Sequence, residues 1–177
     1  MGPRRRVLPF LLPGILLGAS MGMISTATAQ RKEYLSDAEA DKIRGAATPA
    51  ERIELYMTFA DDRLKKFDYE IHRSVPEARR SEILNGLLNG YVGCVDDAAD
   101  QIDAAHEKHL DIRDALKKMK EKDKGFLEIL EKYDMPGPDL ETYEDTLEDA
   151  IDGTKEAISD AEDAEKETPS GPVRRKQ

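Results

Sequence analysis

The stretch LNGLLNGYVGCVDDAADQIDAAHEKHLDIRDALKKMKEKDKGFLEILEKY (84–133) decides how this chain folds. Its seam, apolar but for His109 and Asp123, recurs in alternating steps of three and four: Leu84, Leu88, Tyr91, Val95, Ala98, Ile102, Ala105, His109, Ile112, Leu116, Met119, Asp123, Phe126, Leu130, Tyr133. That spacing puts one stripe along one face of a helix, in the manner of a coiled-coil heptad. No Gly or Pro interrupts the run between Cys94 and Lys124. The reading is therefore one very long helix over 76–134, with Gly125 its weakest point; at 1.5 Å per residue it would be about 88 Å long. A bend near 103–108 would instead fold the chain into a four-helix bundle.

The flanking segments are helical too. Ser36-Asp37-Ala38-Glu39, Thr48-Pro49-Ala50-Glu51 and Ser74-Val75-Pro76-Glu77 each set a hydroxyl three residues before a Glu. This is the capping box, in which each side chain satisfies the other residue's backbone N–H. Pro49 at the first helical position adds to the second of them. The boxes predict a short helix at 37–44, a longer one at 49–73 and the start of the central helix near Pro76. Met135-Pro136-Gly137-Pro138 breaks the chain, and a further helix is expected over about 139–166. No alternating strand pattern occurs. The fold class is all-α: antiparallel helical hairpins around a long central helix, alternatively a four-helix bundle.

Constant sums of residue numbers give the antiparallel pairing. A sum of 151 sets Phe67 against Leu84, Ala60 against Tyr91, Tyr56 against Val95 and Ile53 against Ala98. A sum of 273 sets Phe126 against Leu147, Leu116 against Ala157 and Ile112 against Ala161, large residues on small ones. Charge favours the second hairpin, since 139–167 carries a net of −11 and 113–124 a net of +3. Two-helix hairpins leave Leu55, Met57, Phe59, Ile83, Leu87, Val92, Ile151 and Ile158 beside the seams and in need of cover. That cover is another hairpin of the same chain, a second copy or a partner; a homodimer forming a four-helix bundle, or another envelope protein, is the preferred source.

The N-terminal residues read as an export signal. Arg4, Arg5 and Arg6 precede an apolar run from Val7 to Ala19, and Ala27-Thr28-Ala29 is a cleavage signal. The run is shorter than the ~20 residues a spanning helix needs. The segments expected are a signal peptide over 1–29, an N-terminal extension over 30–47, the helical domain over 48–167 and a disordered basic tail over 168–177. The localisation expected is periplasmic or secreted, by the general or the twin-arginine route, without stable membrane insertion. Removing the signal leaves 24 basic against 37 acidic side chains, a net of −13. Such a surface repels nucleic acid and anionic lipid. Cys94 is the one cysteine of the chain, so no intramolecular disulfide can form.

Candidate chemistry is sparse. Asp103, His106 and His109 stand three apart, with ligand types suited to a transition metal. Bundle metal sites use an acid-x-x-His unit on each of two helices, and this chain has a single such unit, so the seam reading of His109 is preferred. Haem would need His106 or His109 with Met57 or Met119, and the missing Cys-x-x-Cys-His excludes covalent attachment. The metal- or haem-binding bundle using His106 and His109 stands as the alternative, and the expected cofactor is none. Gly86, Gly90 and Gly93 lie four and three apart, flanked by Asn85 and Asn89. Small residues at this spacing admit a close helix, which makes Asn85, Gly86, Asn89, Gly90 and Gly93 the expected interaction surface. The expected function is non-enzymatic: helix-mediated self-association or partner binding in the cell envelope.

The segments FADDRLKKFDYEI (59–71), GCVDDAADQID (93–103) and YEDTLEDAIDGTKEAI (143–158) resemble a group of uncharacterised exported bacterial helical proteins. The resemblance implies an all-helical fold and carries no activity, cofactor or assigned residue.

Overall fold

A computed structural model describes residues 34–73, 77–136 and 140–167. Its helices are α1 (Asp37–Gly45), α2 (Pro49–Ile71), α3 (Glu77–Glu107), α4 (Arg113–Tyr133) and α5 (Glu144–Glu167), with a single 3-10 turn at Leu140–Thr142 before α5. No strand occurs among the described residues, and the fold is all-α. The expected signal peptide, the third capping box at Ser74 and the basic tail lie outside the described residues.

The first two helix starts form as their residues require. At α1 the Ser36 backbone N–H donates to Glu39 Oε2 at 2.8 Å while Glu39 N donates back to Ser36 Oγ at 3.3 Å. Thr48 and Glu51 repeat the exchange at 3.3 and 3.2 Å, with Pro49 opening α2. Each box satisfies N–H groups that the first helical turn leaves without partners.

The central helix is not continuous: where one helix over 76–134 is expected, the chain forms two. Helix α3 stops at Glu107 and α4 starts at Arg113. His109 adopts a φ of 52°, the only non-glycine residue at positive φ among those described. Its N–H donates to the His106 carbonyl at 3.0 Å, and the Leu110 N–H donates to the Ala105 carbonyl at 2.9 Å. These two bonds are the Schellman pattern, with His109 in the left-handed position where glycine is usual. Histidine is among the side chains that enter this region more readily than most. Asp111 then accepts from the Arg113 N–H at 3.2 Å, and buried Ile112 anchors the start of α4. His109 is therefore an exposed turn residue, not a seam residue. Gly125, the expected weak point, lies inside an uninterrupted α4.

The reversal makes a four-helix bundle. Helix α2 packs on α3 and α4, and α5 packs on the same two helices from the other side. The pairs Ser81–Thr142, Asn85–Thr146 and Tyr91–Thr154 are separated by 61, 61 and 63 residues, so α3 and α5 run parallel. Glu54–Lys118 and Asp68–Tyr133, at 64 and 65, make α2 and α4 parallel. Across the bundle the Tyr91 and Phe126 rings meet edge-on at 5.7 Å. Near one end Phe67 takes Tyr133 and Tyr143 edge-on at 5.3 and 5.4 Å.

All eight residues paired by the sum of 151 are buried, and Arg63 lying on Gly90 fits that register. The α4/α5 register differs from the sum of 273. Lys120 pairs with Glu165 and Lys124 with Glu162, sums of 285 and 286, while one ring, Tyr91, meets both Phe126 and Thr154. These pairings lie about 7 to 13 residues from the expected sum, and a slip by whole heptads keeps the same stripe inward and so leaves no mark in the apolar pattern. For six of the eight residues expected to need cover, it comes from within the chain, while Ile83 and Ile158 stay half-exposed. Met57, Phe59 and Ile151 are buried, and Leu55, Leu87 and Val92 are half-buried against the core. Leu84, Leu88, Leu116 and Leu130 reach 0% exposure, each worth ~2 kcal/mol of burial.

Candidate functional site

Parallel α3 and α5 leave a furrow between them, and its walls are acidic. One section, of about 350 Å³, is lined by Asp100, Asp103 and His106 from α3 and by Asp160, Asp163 and Glu167 from α5. A second, of about 210 Å³, continues it through Asp96, Asp100, Glu156 and Asp160. Cations nearby are few. Lys166 pairs with Asp163 at 2.7 Å, and His106 Nδ1 lies 3.8 Å from Glu167 Oε2. Burial, and then the like charges of Glu156, Asp103 and Asp163, push the Asp160 carboxyl above its ordinary value. The furrow is thus a place where folding crowds carboxylates together, and an arriving cation would relieve that cost.

The sequence-derived metal trio divides at the helix end. Asp103 and His106 both face the furrow, with His106 Nε2 buried and without a hydrogen-bond partner. His109 has left the helix for the turn. Among the described residues no group of three or more His, Cys, Asp or Glu side chains is placed to hold a metal ion. Met57 and Met119 are both packed in the core, at 1% and 0% exposure.

The glycine-rich stretch of α3 divides as well. A Cβ on Gly93 would stand 2.7 Å from the Tyr34 ring, and one on Gly90 would touch the Arg63 stem at 3.5–3.7 Å. The close approach at Gly93 is made by Tyr34, at the head of the strap that leads from Tyr34 into α1, whereas the neighbour of Gly90 is Arg63 of α2. Tyr34 donates its hydroxyl proton to Asp97. Arg63 grips the same strap with both terminal nitrogens, reaching Glu39 at 2.8 and 2.8 Å and the Tyr34 carbonyl at 3.0 Å. Asn85 donates to the Thr142 carbonyl at 2.6 Å and accepts from Thr146 at 2.6 Å, tying α3 to the start of α5. Gly86 and Asn89 are exposed, and nothing lies within 4 Å of a Cβ on Gly86.

Sequence reasoning gave no role to three charged residues that the fold encloses among those described. Arg63 is 9% exposed, Asp97 is 6% exposed and takes the Tyr34 hydroxyl proton, and Asp123 is fully buried. Asp123 was legible as an acid in an otherwise apolar seam. Neither of its carboxyl oxygens has a hydrogen-bond partner. Above it the Tyr91 hydroxyl lies 2.6 Å from Thr154 Oγ1, and Thr154 in turn donates to the Ala150 carbonyl at 2.6 Å. Thr154 has one proton and spends it on Ala150, so Tyr91 is the donor of the pair. Burial pushes the Tyr91 phenol up, with Thr154 opposing and Asp123 and Cys94 adding to the rise. Cys94 is a buried free thiol.

No protein-family model, no curated protein and no solved structure matches this chain.

Proposed function

We propose that this is a non-enzymatic exported protein that works by binding a cationic partner polypeptide along the acidic α3/α5 furrow. The observation that carries the reading is the crowding of Asp100, Asp103, Asp160, Asp163 and Glu167 on two parallel helices, with the Asp160 carboxyl raised by burial and by its neighbours. Closure of the apolar core within one chain moves the weight from self-association to partner binding, because a second copy has few large apolar side chains left to cover. The exposed large apolar residues among those described are Tyr69, Leu110 and Met135. Export rests on the 1–29 leader. Recovery of the protein outside the cytoplasm at the mass of a chain beginning at Gln30 supports it, and a full-length cytoplasmic product overturns it.

The test is titration of the full mature chain with an oligolysine peptide. Binding that weakens as salt rises, and falls at least about tenfold when Asp100, Asp103, Asp160 and Asp163 are changed together to Asn, supports the reading. Absence of binding, or an unchanged affinity in the variant, overturns it. A second reading has one observation in its favour: Asp103 and the unpartnered His106 Nε2 share the furrow. Zinc binding that His106→Ala abolishes, in a chain indifferent to the peptide, would replace the first reading by this one.

A further inference from the structure

We propose that Asp123 makes the bundle a pH-controlled latch, in which a neutral carboxyl lets α4 seat in the core and an ionised one releases it. Asp123 sits on the inward stripe of α4 between Met119 and Phe126, at 0% exposure, and neither oxygen is hydrogen-bonded. An isolated carboxylate cannot be held in such a place cheaply, whereas a neutral carboxylic acid can.

Among the described residues no cation hydrogen-bonds to it. From α3 it feels the Tyr91 phenol, whose proton is already given to Thr154, and Cys94 is the other titratable group interacting there. From α5, Thr154 meets Tyr91 and the buried Ala157 and Ala161 do not titrate, while Glu162 lies 3.9 Å from Lys124. From α2, the offset of the Glu54–Lys118 and Asp68–Tyr133 contacts sets Asp123 level with Thr58 and Phe59; the buried Met57 and Ala60 beside them do not titrate, and Tyr56 interacts instead with Cys94, Arg52 and Asp100. Along α4 itself Lys122 adjoins it and draws the carboxyl slightly down. Burial outweighs Lys122 and pushes Asp123 up to about 7.

The sign follows. Between the ordinary carboxyl value of 3.8 and about 7, the folded chain keeps a proton that the unfolded chain has lost. The folded state is therefore weakened as pH rises through that window, and the loss levels off above about 7. Opening is driven by alkali, with neutral pH at the edge of the response.

The experiment follows the carbon-13 signal of the Asp123 carboxyl in the full mature chain, together with amide exchange of α4 corrected for intrinsic rates. The expected titration midpoint is near neutrality, and the opening equilibrium of α4 should rise about tenfold per pH unit between pH 5 and 6.5. In Asp123→Leu, and separately in the near-isosteric Asp123→Asn, that rise should vanish. A carboxyl midpoint below pH 5 overturns the proposal, as does the same pH response in a folded Leu or Asn variant. Should neither variant fold, the wild-type carboxyl titration alone decides.

Discussion

Substituting Arg63 by Met keeps the length of the side chain and removes the grip that fixes the N-terminal strap. Arg63 and Glu39 are 11% and 15% exposed at their side chains, so solvent screens the pair little. Hydrogen bonding to Arg63, against the cost of burial and aided by Ser36, holds the Glu39 carboxyl down from 4.5 to about 2. At ~1.4 kcal/mol per pH unit, that depression contributes on the order of 3 kcal/mol at neutral pH. The contribution is complete above about pH 4.5 and is lost as pH falls through about 2. At pH 3 less than half of it remains, roughly 1–1.5 kcal/mol. Urea unfolding of wild type and Arg63→Met, followed by far-ultraviolet circular dichroism, measures the difference at both pH values. The expected loss is about 3 kcal/mol at pH 7 and clearly smaller at pH 3. A loss below about 1 kcal/mol at pH 7, or an equal loss at both, would refute the reasoning, because either shows that the Glu39 charge is not what Arg63 holds.

Three further outcomes follow from particular contacts. Gly93→Ala drives a methyl to 2.7 Å from the Tyr34 ring and should destabilise the chain and raise amide exchange at residues 34–40. Gly86→Ala, with open space around its Cβ, should stabilise by ~0.5–1 kcal/mol in the same unfolding assay. Tyr91→Phe should cost only ~1 kcal/mol in chemical unfolding, because Thr154 keeps its bond to Ala150, whereas Thr154→Val strands the buried Tyr91 hydroxyl and should cost more, ~1–3 kcal/mol.

Much of the architecture was legible because caps and apolar periodicity are local signals. Ser36 with Glu39 and Thr48 with Glu51 stand in sequence as they stand in space, and the stripe from Leu84 to Ala105 is the buried face of α3. The reversal at 108–112 was hidden because its left-handed residue is His109, where a glycine would have announced a stop. With that one residue misread, two hairpins looked like one rod, and side chains such as Met57 and Phe59 looked bare. The α4/α5 register was hidden for another reason: a slip by whole heptads conserves the stripe.

Of the candidate site, the sequence exposed the ingredients without their grouping. The acids of α5 were plain as a charge run, but that they share a furrow with Asp100 and Asp103 depends on α3 and α5 being parallel neighbours, which local periodicity does not specify. The glycine spacing leads to an interaction surface for a partner helix; within the chain Gly93 faces Tyr34 of the N-terminal strap, Gly90 faces Arg63 of α2, and Gly86 has open space beside it.

The distance between spin labels at the exposed positions Glu82 on α3 and Glu131 on α4 tests the account most directly, with Cys94 replaced by Ala so that only the introduced cysteines react. In the bundle both positions lie at the same end, across a diagonal of helices packed 8–10 Å apart, and the labels should fall within about 30 Å. A distance near 70 Å, as a continuous helix would give at 1.5 Å per residue, would contradict the reversal at His109 and with it the furrow between α3 and α5.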